Sequence, residues 1–275
     1  MTNAIRRIRR LLDRGWAAVM CAGLAACTSE PRPPPLRLGT TTTVEQSGAL
    51  ALLDSLHSPV PLRVVVGTSG QILRSAAAGD LDVVVTHAPG LEQRLLIDPG
   101  LVERRCPFVA SRFAIVGPNP DPAHVADAPT AVEAFRRIAA KHVSFISRGD
   151  SSGTHVKELA LWRSADVSPD RKDPWYVQVG ADQAATLRVA DERHAYALVD
   201  LPTFARLGDS DLRALFIADT ALTNPYTLYV VRSVSPHPGG VIFGEWALSE
   251  WRSRLVQMRL PGGTEAFVPL EGECQ

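Results

Sequence analysis

The run Ser147-Arg148-Gly149-Asp150-Ser151-Ser152-Gly153-Thr154-His155 concentrates hydroxyls, glycines and a guanidinium in one short segment. An apolar, β-like stretch, His142–Ile146, precedes it, and a helix-like stretch, Val156 to Arg163, follows. A strand therefore ends in a loop at a helix N-terminus. The first N–H groups of a helix have no intrahelical partner and its dipole is positive there. With hydroxyl donors added, such a loop can hold an oxyanion without a metal. The same residues allow a second chemistry. Gly149-Asp150-Ser151-Ser152-Gly153 fits the G-x-S-x-G nucleophile elbow in its strand–turn–helix setting. Ser151 would be the nucleophile, with Asp191 or Asp200 and then His237 in hydrolase order. Against this, nothing upstream resembles an HGGG-type oxyanion loop, and Arg148 and Asp150 are superfluous to acyl transfer.

Two further loops share the design. Thr40-Thr41-Thr42-Thr43 precedes a helix opened by Ser47-Gly48, and Thr68-Ser69-Gly70-Gln71 follows another strand-like run. One Ser or Thr before a helix is ordinarily an N-cap. Three such loops at strand ends supply a set of neutral donors, and hydrogen bonds to a charged group contribute about 1.5–3 kcal/mol each. Asp150 is expected to orient Arg148 or cap the helix, because a carboxylate facing an anion repels it. His87, in Thr86-His87-Ala88-Pro89 at the end of a buried-strand run, is expected to fix its loop. The histidines are scattered, and no His-Glu-x-x-His or Cys-x-x-Cys occurs, so no metal site is expected.

The elements that must position these loops alternate. Strand-like runs at Leu36–Gly39, Leu62–Val66, Leu81–Val85, Phe113–Val116, Val143–Ile146, Ala195–Val199 and Tyr226–Val231 interleave with helical patterns. The helical patterns are Ser47–Leu56, Gln71–Ala78, Ala131–Ala140, Gly153–Ser164, Ala184–Asp191 and Phe243–Val256. This predicts an α/β protein with mostly parallel sheets. Proline-rich seams at Gly117–Pro122 and Thr223–Pro225 suggest two crossings of the chain. Residues 36–116 and 224–275 would then form a discontinuous first lobe and residues 117–223 a second. Ligands of open α/β sheets sit beyond strand C-terminal ends, so two facing lobes define a cleft.

The 275 residues are 45% hydrophobic and carry no net formal charge, which gives no electrostatic case for nucleic acid. Arg6, Arg7, Arg9, Arg10 and Arg14 precede a short apolar run, Trp16 to Ala26, that ends Leu24-Ala25-Ala26-Cys27. Residues 1–26 read as an export signal, and the small residues before Cys27 resemble a bacterial lipobox, implying lipid on that cysteine. Thr28 to Pro35 would be a stiff tether, so 27–35 is anchor and linker and the membrane is reached through lipid alone. Loss of residues 1–26 leaves 24 basic and 28 acidic residues, a net of −4. An anion must then be held by local geometry rather than by the overall field. Cys106 and Cys274 remain, free to pair in an oxidising compartment or to stay as thiols.

The threonine run with Ser47-Gly48, Ser69-Gly70-Gln71, Gly79-Asp80-Leu81-Asp82-Val83, His87-Ala88-Pro89, Ile115-Val116-Gly117-Pro118, Ser147–Asp150 with Ser152–His155, Glu158–Trp162, Ala185-Thr186-Leu187 and Asn224-Pro225-Tyr226 closely resemble the tungstate-binding proteins of bacterial ABC importers. The resemblance runs from Thr40 to about Val231. It implies a two-lobed type II periplasmic-binding-protein fold with two crossover hinge strands. It also implies capture of tungstate or molybdate, and delivery to a permease driven by a cytoplasmic ATPase. It needs no cofactor, and a monomer is expected. On this basis Thr42, Thr43, Ser69, Arg148, Ser152, Gly153 and Thr154 are the expected ligand residues, with Thr41, Thr68, His87, Asp150 and Ser151 around them. Val44, Val156 and Ala110-Ser111-Arg112 depart from the family pattern, and Val44 removes one donor from the first loop. Phosphate or sulfate capture is the neighbouring alternative, a Ser151 hydrolase the alternative of another class, and an anion-sensing domain a third.

Overall fold

Alternating apolar residues decide which segments are buried. Leu36 and Leu38 on one strand face Val83 and Val85 on the next, all at 0–1% exposure, and the inward side chains fix the register. The computed structural model describes residues 34–208 and 210–275. The signal segment 1–26, Cys27 and the tether up to residue 33 lie outside the described residues. Residues 35–275 form one compact unit.

The strands are β1 (Leu36–Thr41), β2 (Leu62–Gly67), β3 (Val83–Thr86), β4 (Val102–Gly117), β5 (Phe145–Ser147), β6 (Tyr176–Gln178), β7 (Ala197–Asp200), β8 (Arg213–Phe216), β9 (Thr223–Val231) and β10 (Val268–Pro269). The helices are α1 (Thr42–Gln46), α2 (Ala49–Asp54), α3 (Ser69–Ala77), α4 (Pro89–Glu92), α5 (Ala131–Ala140), α6 (Gly153–Ser164), α7 (Gln183–Glu192), α8 (Leu201–Leu207), α9 (Gly240–Trp246) and α10 (Arg252–Leu255). The main sheet runs β10-β4-β9-β3-β1-β2, and β7 and β8 also pair with β4. A second, small sheet joins β5 to β6 in parallel.

β4 is the central connection. Over Val102–Arg112 it pairs antiparallel with β9. Over Phe113–Gly117 it pairs instead with β7 and β8. One 16-residue strand thus leaves one sheet and enters another, and β9 returns beside it. Each side has its own core. Phe108, Leu228, Phe243 and Trp251 pack under β1 and β3. Phe135 of α5 and Trp162 of α6 pack with Phe145 and Tyr176, the Phe135 and Trp162 rings lying 4.4 Å apart, edge to face.

Several expectations change. The sheets are mixed rather than mostly parallel: β1 is parallel to β2 and β3, but β9 is antiparallel to β3 and β4. The returning strand has to run opposite to its neighbours. The expected strand at Phe113–Val116 is only the end of β4. Its earlier part carries Glu103, Arg104, Arg105 and Pro107, which hid a strand whose residues alternate between exposed and covered. The expected helix at 47–56 starts at Thr42 and breaks at Gly48, whose φ of +86° suits glycine. The expected helix at 243–256 starts at Gly240 and contains a π-helical turn, Ala247–Trp251. Cys106 and Cys274 form a disulfide across 168 residues. Beside it Arg105 and Gln275 exchange backbone hydrogen bonds of 2.8 and 2.9 Å.

Candidate oxyanion site

Four loops bring helix N-termini together. Thr41 caps α1, its Oγ1 accepting from the Val44 N–H at 3.3 Å. Thr68 caps α3 in a capping box: its Oγ1 accepts from the Gln71 N–H, and Gln71 Oε1 accepts from the Thr68 N–H at 2.8 Å. Ser152 caps α6 through the His155 N–H at 3.2 Å, and Asp182 caps α7 through the Ala185 N–H. With the caps occupied, the residues just inside each helix are left to face inward. Thr43, Ser69 and Thr154 are each 0% exposed. Their hydroxyls have no hydrogen-bond partner among the described residues. Arg148 is 1% exposed, and its Nη1 is likewise without one. A buried polar group left unsatisfied costs about 1–3 kcal/mol. Several together mark a space shaped for a polar ligand.

The Arg148 loop is fixed from behind. The Ser147 and Arg148 carbonyls accept from the N–H groups of Val179 and Gly180 at 3.0 and 2.8 Å. Gly149 and Ser151 turn the chain with φ of +63° and +59°. At Gly149 a Cβ would sit 2.9 Å from Cβ of Gln178, so only glycine fits. Asp150 orients Arg148, the first of the two roles expected of it, while the cap of α6 is Ser152. Asp150 Oδ2 accepts from Arg148 Nε and Nη2 at 3.2 and 2.6 Å, and its Oδ1 accepts from the Ser152 N–H. The guanidinium is thereby held with Nη1 free. Beneath the loop, Glu158 accepts from Tyr176 Oη at 2.7 Å and Trp162 Nε1 at 3.2 Å. Burial pushes its carboxyl up to about 7.

The loops touch one another. Arg148 Nη2 donates to Thr42 Oγ1 at 3.3 Å, so Thr42 meets the arginine directly. A Cβ on Gly153 would lie 2.5 Å from His87 Cε1 and 2.8 Å from the His87 carbonyl oxygen. A cavity of about 710 Å³ lies elsewhere, between Arg112, Ile217 and Glu265. The site is closed against solvent.

His87 joins this contact to the crossing strands. Its Nδ1 is 2.8 Å from Asn224 Oδ1, and its ring stacks on Tyr226 at 4.8 Å. Asn224 Nδ2 donates to Ser111 Oγ, Asp200 Oδ1 and Tyr226 Oη, each at 3.0 Å. Ser111 Oγ donates to Asp200 Oδ1 at 2.5 Å. Burial raises the Asp200 carboxyl, and the bonds from Ser111, Asn224 and Thr203 oppose that rise. Burial, reinforced by the Arg148 charge, lowers His87 to about 4, against the Asn224 bond and Asp150. The network of Ser111, Asp200 and Asn224 lies outside the oxyanion-site residues expected from sequence. So does Gln183, which is fully buried, with Oε1 accepting from the Asp200 N–H at 3.4 Å and Nε2 unpartnered. Gln183 had a signal: Val179-Gly180-Ala181-Asp182 is a fourth strand–loop–helix junction.

The hydrolase residues do not assemble. Asp200 is bound to Ser111, Asn224 and Thr203. Asp191 lies at the far end of α7, accepting from the Asp211 N–H, and His237 lies against Gly239. Ser151 is exposed, and its N–H donates to His155 Nδ1. The positive φ of Ser151 turns the chain into Ser152, the cap of α6.

Separate cores joined by crossing strands, with donor loops meeting between them, define a two-lobed type II periplasmic binding protein. Residues 28–250 match the PBP superfamily domain. The chain is 31% identical over 270 residues to a tungstate-binding protein of Peptoclostridium acidaminophilum, covering 90% of this chain and 93% of that one. It is similar in structure to the tungstate ABC transporter protein of Geobacter sulfurreducens, at 36% identity and a TM-score of 0.63, covering 81% and 92% of the two chains. It is also similar to the tungstate-binding protein of Desulfovibrio alaskensis, at 29% identity and a TM-score of 0.70, covering 87% and 100%. The chain belongs to the PBP superfamily and, within it, to the tungstate-binding protein family. These relatives are named for tungstate binding and ABC transport, the hydrolase residues do not come together, and the serine-hydrolase alternative is withdrawn.

Proposed function

We propose that this protein is the extracytoplasmic solute-binding component of an ABC importer, capturing tungstate, with molybdate as a second cargo, and handing it to a permease driven by a cytoplasmic ATPase. The observation that carries the reading is the set of buried donors without partners among the described residues, Thr43, Ser69, Thr154 and Arg148 Nη1, from three separate loops. Thr42, Ser152 and the Gly153 N–H complete the cage. A hydroxyl that accepts a capping bond keeps its own proton to donate, so Ser152 can cap α6 and still bind oxygen. Asp150 holds the guanidinium, and Thr41, Thr68 and Ser151 shape the loops.

Residues 36–116 with 224–275, and residues 117–223, act as the two lobes, and β4 and β9 bend as the hinge between them. Closure removes water from the anion and strengthens each bond to it. The protein is exported through residues 1–26, tethered by lipid on Cys27 and works as a monomer.

A thermal-shift series with tungstate, molybdate, sulfate, phosphate and no addition tests this. A ligand that binds only the folded state raises the melting temperature. A large rise with tungstate, small or absent with sulfate and phosphate, is expected. No rise with any oxyanion would sink the reading.

A further inference from the structure

His87 packs against the Gly153 end of the cage and brings a chemistry opposite to that of its donors. Asn224 commits its Nδ2 to Ser111, Asp200 and Tyr226, so Asn224 Oδ1 is what faces the imidazole. An amide oxygen only accepts, so His87 Nδ1 carries the proton. In the neutral ring Nε2 is then a bare lone pair. It is buried and has no partner among the described residues. Tyr226 covers one ring face, and Gly153 at the start of α6 presses on the Cε1–Nδ1 edge. Cε1, the carbon bonded to Nε2, is thus set against the helix end that carries the Thr154 hydroxyl, itself without a partner among the described residues. A lone pair there repels an anion oxygen, whereas an N–H would bind it.

We propose that His87 Nε2 takes one proton from solvent as the oxyanion enters and donates it to an anion oxygen, so that the closed site holds one dianion and one added proton. This rests on the oxyanion-binding reading and makes the site a proton-linked one. The groups around the ring favour the exchange only when the anion is present. Arg148 opposes a second positive charge and Asp150 favours one. Asp200 is reached only through Asn224. On the loop's other side, Glu92 accepts from Thr86 Oγ1, the Ala88 N–H and Tyr229 Oη. Without anion the burial of the ring keeps it neutral at pH 7. A dianion beside it reverses that balance.

Calorimetry of tungstate binding by the purified protein, in buffers of different ionisation enthalpy between pH 6.5 and 8.5, counts the protons. Uptake close to one proton is expected at the acid end, with affinity falling about tenfold per pH unit while uptake persists. His87→Gln offers a neutral N–H donor, and its binding should be insensitive to pH. Should that variant not fold, nitrogen-15 spectra of the wild-type histidines give the second readout, with His87 becoming doubly protonated on adding tungstate. Tungstate binding without proton uptake overturns this inference and leaves the function intact. Uptake that survives in His87→Gln also overturns it. Absence of binding to any oxyanion overturns both.

Discussion

Arg148 is a buried cation, and two features reconcile it with burial. Asp150 pairs with it at 2.6 Å, and on the proposed reading Nη1, which has no partner among the described residues, is met by the anion. A cation truncated from such a site removes a charge-assisted bond and leaves the acid behind it unpaired. Arg148→Ala should weaken tungstate binding by at least about 2 kcal/mol, roughly thirtyfold in Kd. Unchanged affinity by calorimetry would remove Arg148 from the site. Thr43, Ser69 and Thr154 differ from Thr41, Thr68 and Ser152 by one or two positions in sequence, and that offset decides their role. The cap residue satisfies the helix's own N–H groups, and the hydroxyls of the next residues inward are left without a partner among the described residues. The threonine run and the Ser69 and Arg148 loops were legible in the sequence as donors. Which hydroxyl caps and which binds was not, because that depends on where each helix starts.

At the scale of elements, the α6 N-terminus and the loop after β3 meet at Gly153 and His87. A methyl on Gly153 would overlap both the His87 ring and its backbone carbonyl, and the backbone cannot yield as a flexible side chain could. Overpacking of this kind costs about 1–3 kcal/mol. Because the contact forms as the loops come together, that cost should fall on closure. Gly153→Ala is expected to lower tungstate affinity by about that amount, with little loss of helix content. Equal affinity in the variant would show that closure does not need this contact. β4 was half visible in the sequence: Phe113–Val116 reads as a strand, but Glu103, Arg104 and Pro107 mask its beginning. The short strands β6, β8 and β10 carry too few residues to show a period.

At the scale of the whole molecule, the C-terminal segment is pinned back onto β4 by the Cys106–Cys274 disulfide and by β10 beside Val109 and Ala110. A bridge closing so long a loop constrains the unfolded chain, typically by about 2–4 kcal/mol. The double variant Cys106→Ser with Cys274→Ser should therefore melt at a lower temperature, with tungstate affinity within about twofold of the wild type, as denaturation and calorimetry can check. An unchanged melting temperature would mean the bridge adds nothing.

The sequence by itself determined the alternation of strands and helices, the donor loops at strand ends and the arginine among them. These are local properties: hydrophobic period, turn residues and capping chemistry act within a few positions. Only the tertiary structure decided that β4 serves two sheets, that Cys106 meets Cys274, and that Gln183, Ser111, Asp200 and Asn224 join the site's surroundings. Those depend on pairing and burial between residues up to 168 positions apart. The state of His87 belongs to the same category. A histidine in sequence is ambiguous, and the amide of Asn224, 137 residues away, settles which of its nitrogens holds the proton.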